Sequence, residues 1–265
     1  MVLSYLRIFI LTVLCGICAM NAALAAEVVS AKVEDKPAVE ASRDVKDPVA
    51  AFRGLRDIPI TYMDVAGKPL PEILIGAPDA PITMVQYMSQ GCRSCAKYFL
   101  EIFPHLLASY VRTGWVKVVH RTVPRPDAPN DFSIRAAQIE RCFPLERFTV
   151  ISGLLYSQLD YFGTDDYQIK LTNFAVKRGL TNKQVEACFA DSSVPAMLEV
   201  TRAEADEYFG VRRNSTILFA DSPLRTSRAE NPGAVAKLIE LQMVGKQPAK
   251  MPAPAAASEN IEQKQ

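Results

Sequence analysis

The stretch Ile82-Thr-Met-Val-Gln-Tyr-Met-Ser-Gln-Gly-Cys-Arg-Ser-Cys95 decides the fold. Its first half, residues 82–88, is almost continuously apolar, which is typical of a β-strand buried on both faces. Beyond the stretch, large apolar residues recur at helical spacing between Phe99 and Tyr110. Cys92 and Cys95 therefore lie between a buried strand and the first turn of an amphipathic helix.

A thiol at the start of a helix is expected to be reactive. Unpaired backbone N–H groups and the helix dipole stabilise a thiolate at Cys92. Arg93 adds a positive charge, and the Ser94 hydroxyl can donate a hydrogen bond to the sulfur. A thiolate of lowered pKa is also a better leaving group, so we expect an oxidising Cys92–Cys95 disulfide. Cys95, one turn further on, is expected to be more buried and to act as the resolving thiol.

Two other roles are open to a close cysteine pair. A zinc site needs about four ligands, but the sequence has no second close Cys pair, and its two His residues fall inside predicted elements. A short disulfide that only fixes the turn is the other alternative. We favour redox exchange through Cys92 and Cys95, with no metal and no cofactor.

Composition and charge exclude several classes of protein. The chain has 265 residues, of which 49% are hydrophobic and 22% charged, so it is neither wholly disordered nor collagen-like. Its 30 Lys and Arg residues balance 29 Asp and Glu residues. A nucleic-acid partner is not expected, because a binder of that kind normally carries a basic excess or a basic stripe.

The N-terminus has the pattern of a secretory signal. Arg7 precedes an apolar run over residues 8–20, and the small-x-small sequence Ala23-Leu24-Ala25 follows. We predict a signal peptide over residues 1–25, cleaved after about Ala25, and export to the periplasm. An uncleaved membrane anchor is the alternative.

Export changes the meaning of the remaining cysteines, because thiols outside the cytosol tend to pair. Two of the six cysteines leave with the signal peptide. The short spacing of Cys92 and Cys95 can close a small ring, which favours Cys142–Cys188 as the other bond. Two buried free thiols are the alternative for that second pair.

The pattern of elements predicts an α/β domain with one insertion. A flexible leader over residues 26–60 is expected to precede a domain over 61–245, and residues 246–265 form a disordered tail. Further strands are predicted at 115–120 and 216–219. The helical insertion between them covers about residues 130–209, and a capping box at Thr181-Asn-Lys-Gln184 begins the helix that carries Cys188.

Four segments share their order and spacing with a known family. Residues 75–89 lead directly into the cysteine pair, and residues 114–124 form a second strand. Arg135-Ala-Ala-Gln-Ile-Glu-Arg-Cys142 and Val185-Glu-Ala-Cys188 supply the other two segments. Across residues 65–223 they resemble the DsbA-like branch of the thioredoxin superfamily, especially its four-cysteine forms of alphaproteobacterial type.

The resemblance implies a thioredoxin fold with an inserted helical subdomain and an activity in thiol–disulfide exchange. Cys92 would attack or be attacked, Cys95 would resolve the mixed disulfide, and Cys142–Cys188 would be a non-catalytic disulfide. The implied partners are cysteine-containing exported proteins and a membrane redox partner, a quinone-linked re-oxidase or a reductase. Oxidation of exported proteins is the favoured direction.

Three departures from the family pattern bear on the active site. In Arg213-Asn214-Ser215-Thr216, Ser215 stands where the family has a cis-proline. Because a cis bond before a residue other than proline costs about 2.5–4 kcal/mol, we expect a trans peptide or a reshaped loop. Gln86 replaces a buried Glu that handles protons beneath the cysteines, and Arg93-Ser94 replaces the Pro-His of strong oxidants. These departures leave two alternatives open: an isomerase or reductase, and a non-catalytic thioredoxin-like binding module.

Overall fold

Six strands form one mixed β-sheet in the order β1-β2-β4-β3-β5-β6. The computed structural model describes residues 47–124, 132–207, 211 and 215–251. The predicted signal peptide lies outside these ranges. The strands are β1 (Ile60–Met63), β2 (Glu72–Ile75), β3 (Ile82–Met88), β4 (Val116–Thr122), β5 (Thr216–Phe219) and β6 (Ser222–Thr226).

Strand β3 is central and leads to the cysteine pair. It runs parallel to β4 and antiparallel to β5, with Gln86 opposite both His120 and Ile217. All of its residues except Thr83 are buried, as its continuous apolar sequence predicts. The three predicted strands are confirmed. Strands β1, β2 and β6 were not predicted.

The long helix α2 begins at the cysteine pair and covers residues 93–111. Its α-helical parts, Arg93–Lys97 and Phe103–Leu106, alternate with π-helical turns at Tyr98–Ile102 and Leu107–Val111. Pro104 has no backbone N–H to donate, and the wider turn before it accommodates the missing hydrogen bond.

The other helices include those of the predicted insertion. They are α1 (Ala50–Arg53), α3 (Phe132–Cys142), α4 (Phe148–Ser157), α5 (Leu159–Phe162), α6 (Tyr167–Val176), α7 (Asn182–Ala190), α8 (Ser193–Glu207) and α9 (Ala234–Met243). Within the described ranges, no helix is both long and apolar enough to cross a membrane.

The two largest apolar cores among the described residues lie beneath α2 and within the insertion. The larger one packs α2 against the sheet, with Phe99 and Phe103 fully buried and their ring centroids 5.1 Å apart. The second core lies within the insertion and contains Ile139 of α3, Leu155 of α4 and Leu171 of α6. The helices from α3 to α7 thus have an apolar core of their own, as expected of an inserted subdomain.

The described part of the leader is packed rather than flexible, which differs from the prediction for residues 26–60. Val49 and Phe52 are buried, and the Phe52 ring lies 5.2 Å from that of Phe99. Gly153 of α4 leaves the space they occupy, since a side chain there would overlap Val49. The burial of these two side chains depends on contacts with distant residues, which the local sequence does not indicate.

The start of the predicted tail also packs against the domain. The Ala249 N–H donates to the Gly114 carbonyl at 2.9 Å, and Lys246 Nζ donates to the Pro81 carbonyl at 3.2 Å. Gly114 has a φ of +79° and no side chain, so the chain can approach it closely. Both are polar hydrogen bonds to backbone carbonyls, which leave no apolar pattern in the sequence. Residues 252–265 lie outside the described ranges.

Candidate active site

Cys92 is the N-cap residue of α2, and a disulfide joins it to Cys95 with the two Cα atoms 5.2 Å apart. The extended backbone at Cys92 directs its sulfur at the helix end, where Sγ accepts the Cys95 N–H at 3.2 Å. Cys92 is 8% exposed and Cys95 is 0% exposed. Cys92 is therefore the more accessible of the two cysteines, in agreement with the expected difference in burial.

The two residues between the cysteines differ in what they contact. Ser94 Oγ lies 3.1 Å from Cys92 Sγ, within reach for the predicted hydrogen bond. The Arg93 guanidinium instead donates to Asp160 of α5 at 2.6 Å, and both side chains are about four-fifths exposed. Solvent screens the charge of Arg93, and Asp160 forms an ion pair with it. Arg93 therefore stabilises a Cys92 thiolate less than the sequence predicts.

Gln86 is fully buried and hydrogen-bonded at both ends of its amide. Its Oε1 accepts the Tyr98 hydroxyl at 3.1 Å, and its Nε2 lies 2.7 Å from Nδ1 of His120. Burial lowers the pKa of His120 to about 3 and raises that of Tyr98, so both side chains are neutral at physiological pH. Gln86, His120 and Tyr98 thus form a neutral polar chain beneath α2.

Ser215 occupies the loop just before β5, at the end of the sheet that carries the cysteine pair. Thr216 pairs with Tyr87 of β3, which places Ser215 near the segment that leads to Cys92. Ser215 is buried, has a φ of +61°, and donates from Oγ to Glu230 at 3.0 Å. Asn214 lies outside the described residues, so the predicted conformation of the Asn214–Ser215 peptide stays a prediction.

We expect Ser215→Pro to destabilise the domain by more than about 1 kcal/mol, because proline fixes φ near −65° where the native φ is +61°. Ser215→Gly is the matched control, since it also loses the hydroxyl but accepts a positive φ. Chemical denaturation measures both free energies of unfolding. Equal stabilities of the two variants would contradict this explanation.

The second disulfide joins the insertion helices. Cys142 at the end of α3 is bonded to Cys188 in α7, with Cα atoms 6.2 Å apart and 46 residues of separation. The predicted capping box of α7 is confirmed, with reciprocal hydrogen bonds between Thr181 and Gln184. The non-catalytic role of this disulfide stays a prediction.

Sequence reasoning missed Glu140, a buried carboxylate close to the cysteine turn. It accepts hydrogen bonds from Ser152 of α4 and from Gln90, two residues before Cys92. The sequence does indicate that Glu140 is buried. It follows Ala136 by four residues and is next to Ile139, so it falls on the apolar side of α3. A charged residue on the buried face of a helix calls for a partner or a function.

The described residues contain no group of three or more His, Cys, Asp or Glu side chains that could hold a metal ion.

A family model described as "Thioredoxin" matches residues 69–231, more than half of the chain. The chain belongs to the thioredoxin superfamily. Among solved structures, alpha-DsbA1 of Wolbachia pipientis aligns with a TM-score of 0.58 and 17% identity, over 68% of this chain and 92% of that one. A protein-disulfide isomerase of Novosphingobium aromaticivorans aligns with a TM-score of 0.55 and 16% identity, over 65% and 97%. The recognised DsbA-like thioredoxin fold with its helical insertion is thereby confirmed.

A curated relative from Rickettsia bellii is provisionally named a protein-disulfide oxidoreductase. It is 27% identical over 129 residues, which are 48% of this chain and 48% of the relative. The match thus spans about half the length of that protein.

Proposed function

We propose that this protein is a periplasmic thiol–disulfide oxidoreductase that oxidises newly exported proteins through Cys92–Cys95. The observation that carries the proposal is a disulfide at a helix N-terminus that joins a slightly exposed cysteine, Cys92, to a fully buried one, Cys95. The Cys95 N–H and the Ser94 hydroxyl both lie within hydrogen-bond distance of Cys92 Sγ. These contacts favour Cys92 as a thiolate, and hence as a good leaving group.

The exchange conserves electrons and protons at each step. A substrate thiolate attacks Cys92 Sγ, the Cys92–Cys95 bond breaks, and Cys95 leaves as a thiolate that takes up a proton. The substrate's second thiol loses its proton and attacks the mixed disulfide at the substrate sulfur, which releases Cys92 as a thiolate. The substrate has lost two electrons and gained a disulfide. A membrane partner that draws two electrons from the reduced pair would complete the cycle.

A groove next to the first turn of α2 is the proposed contact for the substrate chain. Ala96 of α2 lines it together with Tyr156 and Leu159 of the insertion, and the half-exposed Tyr161 lies at its edge. The exposed Arg93–Asp160 pair borders the same groove. An apolar floor with an exposed aromatic ring suits an unfolded polypeptide, which presents apolar side chains next to its cysteines.

An isomerase is the second candidate, and the position of Arg93 favours it. Because Asp160 pairs with Arg93 and solvent screens its charge, the Cys92 thiolate is less stabilised and its disulfide is less oxidising. The fold is also shared with a structure titled a protein-disulfide isomerase. A reductase, or a thioredoxin-like module that only binds, remains the alternative if the pair does not oxidise substrates.

The experiment compares two starting substrates. We expect the protein to introduce disulfides into a fully reduced secreted protein, because its disulfide accepts the electrons directly. Cys92→Ser is the control, and it should lower the oxidation rate to that of buffer alone. Activity measured only with a scrambled, already oxidised substrate would support the isomerase. No activity with either substrate would support the binding module.

A further inference from the structure

The carboxylate of Glu140 is buried and is joined by one hydrogen bond to Gln90, in the segment that leads to Cys92. Glu140 is 3% exposed, accepts the Ser152 hydroxyl at 2.5 Å and accepts an N–H of the Gln90 amide. Gln90 is itself 1% exposed, and only Gly91 separates it from Cys92. A hydrogen bond therefore links the insertion helix α3 to the segment that positions the reactive sulfur.

The Gln90 amide is satisfied at only one end. Its Nε2 donates to Glu140, whereas its Oε1 is buried with no hydrogen-bond partner among the described residues. An ionised Glu140 can only accept, but a protonated one has an O–H to donate. If the amide turns over, Oε1 can accept that O–H, so Gln90 has a partner for either protonation state of Glu140.

Glu140 is also able to change protonation in the physiological range. Burial raises its pKa to about 7, against the opposing effects of the Ser152 hydrogen bond and the charge of Arg141. Its other ionisable neighbours are Tyr156 of α4, which is buried and stays neutral, and two residues of β4 that line a small cavity with it. Of those, His120 is neutral above about pH 3, and Arg121 is paired with Glu72.

We propose that Glu140 is a positioning residue that takes up a proton when the Cys92–Cys95 disulfide is reduced and releases it on oxidation. This inference rests on the proposed exchange function. A substrate dithiol gives up two electrons and two protons. Cys95 binds one proton, Cys92 remains a thiolate, and Glu140 binds the second proton because the new negative charge on Cys92 disfavours a carboxylate nearby.

The test is the pH dependence of the equilibrium with glutathione, for the wild type and for Glu140→Gln. Glutamine keeps the shape and cannot ionise, so it removes the repulsion between Glu140 and the Cys92 thiolate. We compare the equilibrium constant for reduction by glutathione in the variant with that in the wild type. We expect the variant's constant to be about three- to tenfold larger at pH 8.5 and the two constants to be equal at pH 5.5. If the ratio of the two equilibrium constants does not change with pH, Glu140 has a merely structural role and the proposal is overturned.

Two controls keep this result specific. Glu240 lies on α9, outside the site, and accepts the hydroxyl of Tyr110 on α2. Glu240→Gln removes that carboxylate and should leave the equilibrium constant equal to that of wild type at every pH. If Glu140→Gln does not fold, ¹³C NMR of wild-type glutamate carboxyls can follow the group that titrates near pH 7. Its pKa should be higher after reduction with dithiothreitol than before, and an unchanged pKa would refute the proposal. A disulfide that never equilibrates with glutathione would instead contradict the proposed function.

Discussion

Cys95→Ala is expected to convert the protein into a covalent trap. In this variant the Cys92 thiolate attacks a substrate disulfide, forms a mixed disulfide and expels the substrate's other thiolate. Cys95, fully buried one helical turn away, is the thiol of this chain placed to break that mixed disulfide, so without it only the substrate's own expelled thiolate can reverse the reaction. More of this variant than of the wild type should therefore be recovered as adducts on non-reducing gels, which a reductant releases.

Matched variants assign the adduct to the correct sulfur. Cys92→Ala should give no adduct, because the remaining Cys95 is buried and unreachable. The wild type should give only traces, because Cys95 resolves each intermediate. Equal adduct yields from Cys92→Ala and Cys95→Ala would contradict the assignment of Cys92 as the sulfur that meets the substrate.

Loss of the second disulfide is expected to change stability and leave the chemistry intact. The bond closes a loop of 46 residues between α3 and α7. On the chain-entropy estimate, a loop of that length contributes about 4 kcal/mol to the free energy of unfolding. Cys142→Ala with Cys188→Ala should lower that free energy accordingly, measured by chemical denaturation, without changing the rate of exchange at Cys92.

The single variants make this test sharper. If the two sulfurs are bonded, Cys188→Ala alone should lose almost as much stability as the double variant, because either change breaks the same bond. Two independent free thiols would instead give smaller losses that add. A double variant that loses exchange activity would show that the disulfide takes part in the reaction.

The elements around the active site could be predicted because their signals are local. The continuous apolar run of β3 and the helical spacing after Cys95 specify a strand, a turn and a helix without knowledge of the rest of the chain. The same local signal gave the relative burial of Cys92 and Cys95. The capping box at Thr181 likewise depends on residues only three positions apart.

Features that depend on distant contacts could not be predicted. Arg93 was expected to stabilise the Cys92 thiolate, but it donates a hydrogen bond to Asp160, 67 residues further along the chain. Phe52 belongs to the core only because Gly153 leaves room for it. The pairing of Glu140 with Gln90 spans 50 residues and two different layers of the fold. In each case the sequence contains both partners, and only the tertiary structure brings them together.

The reduction potential of Cys92–Cys95 tests the proposed function most directly. The protein without its predicted signal peptide would be equilibrated with glutathione buffers, and its free thiols counted by alkylation and mass spectrometry. The Cys92–Cys95 pair of the proposed oxidase should exchange readily with glutathione. Its reduction potential should be about −120 mV, as in strong periplasmic oxidants. A potential near about −180 mV would support the isomerase instead. A value below about −270 mV, or no exchange at all, would contradict a role in oxidising exported proteins.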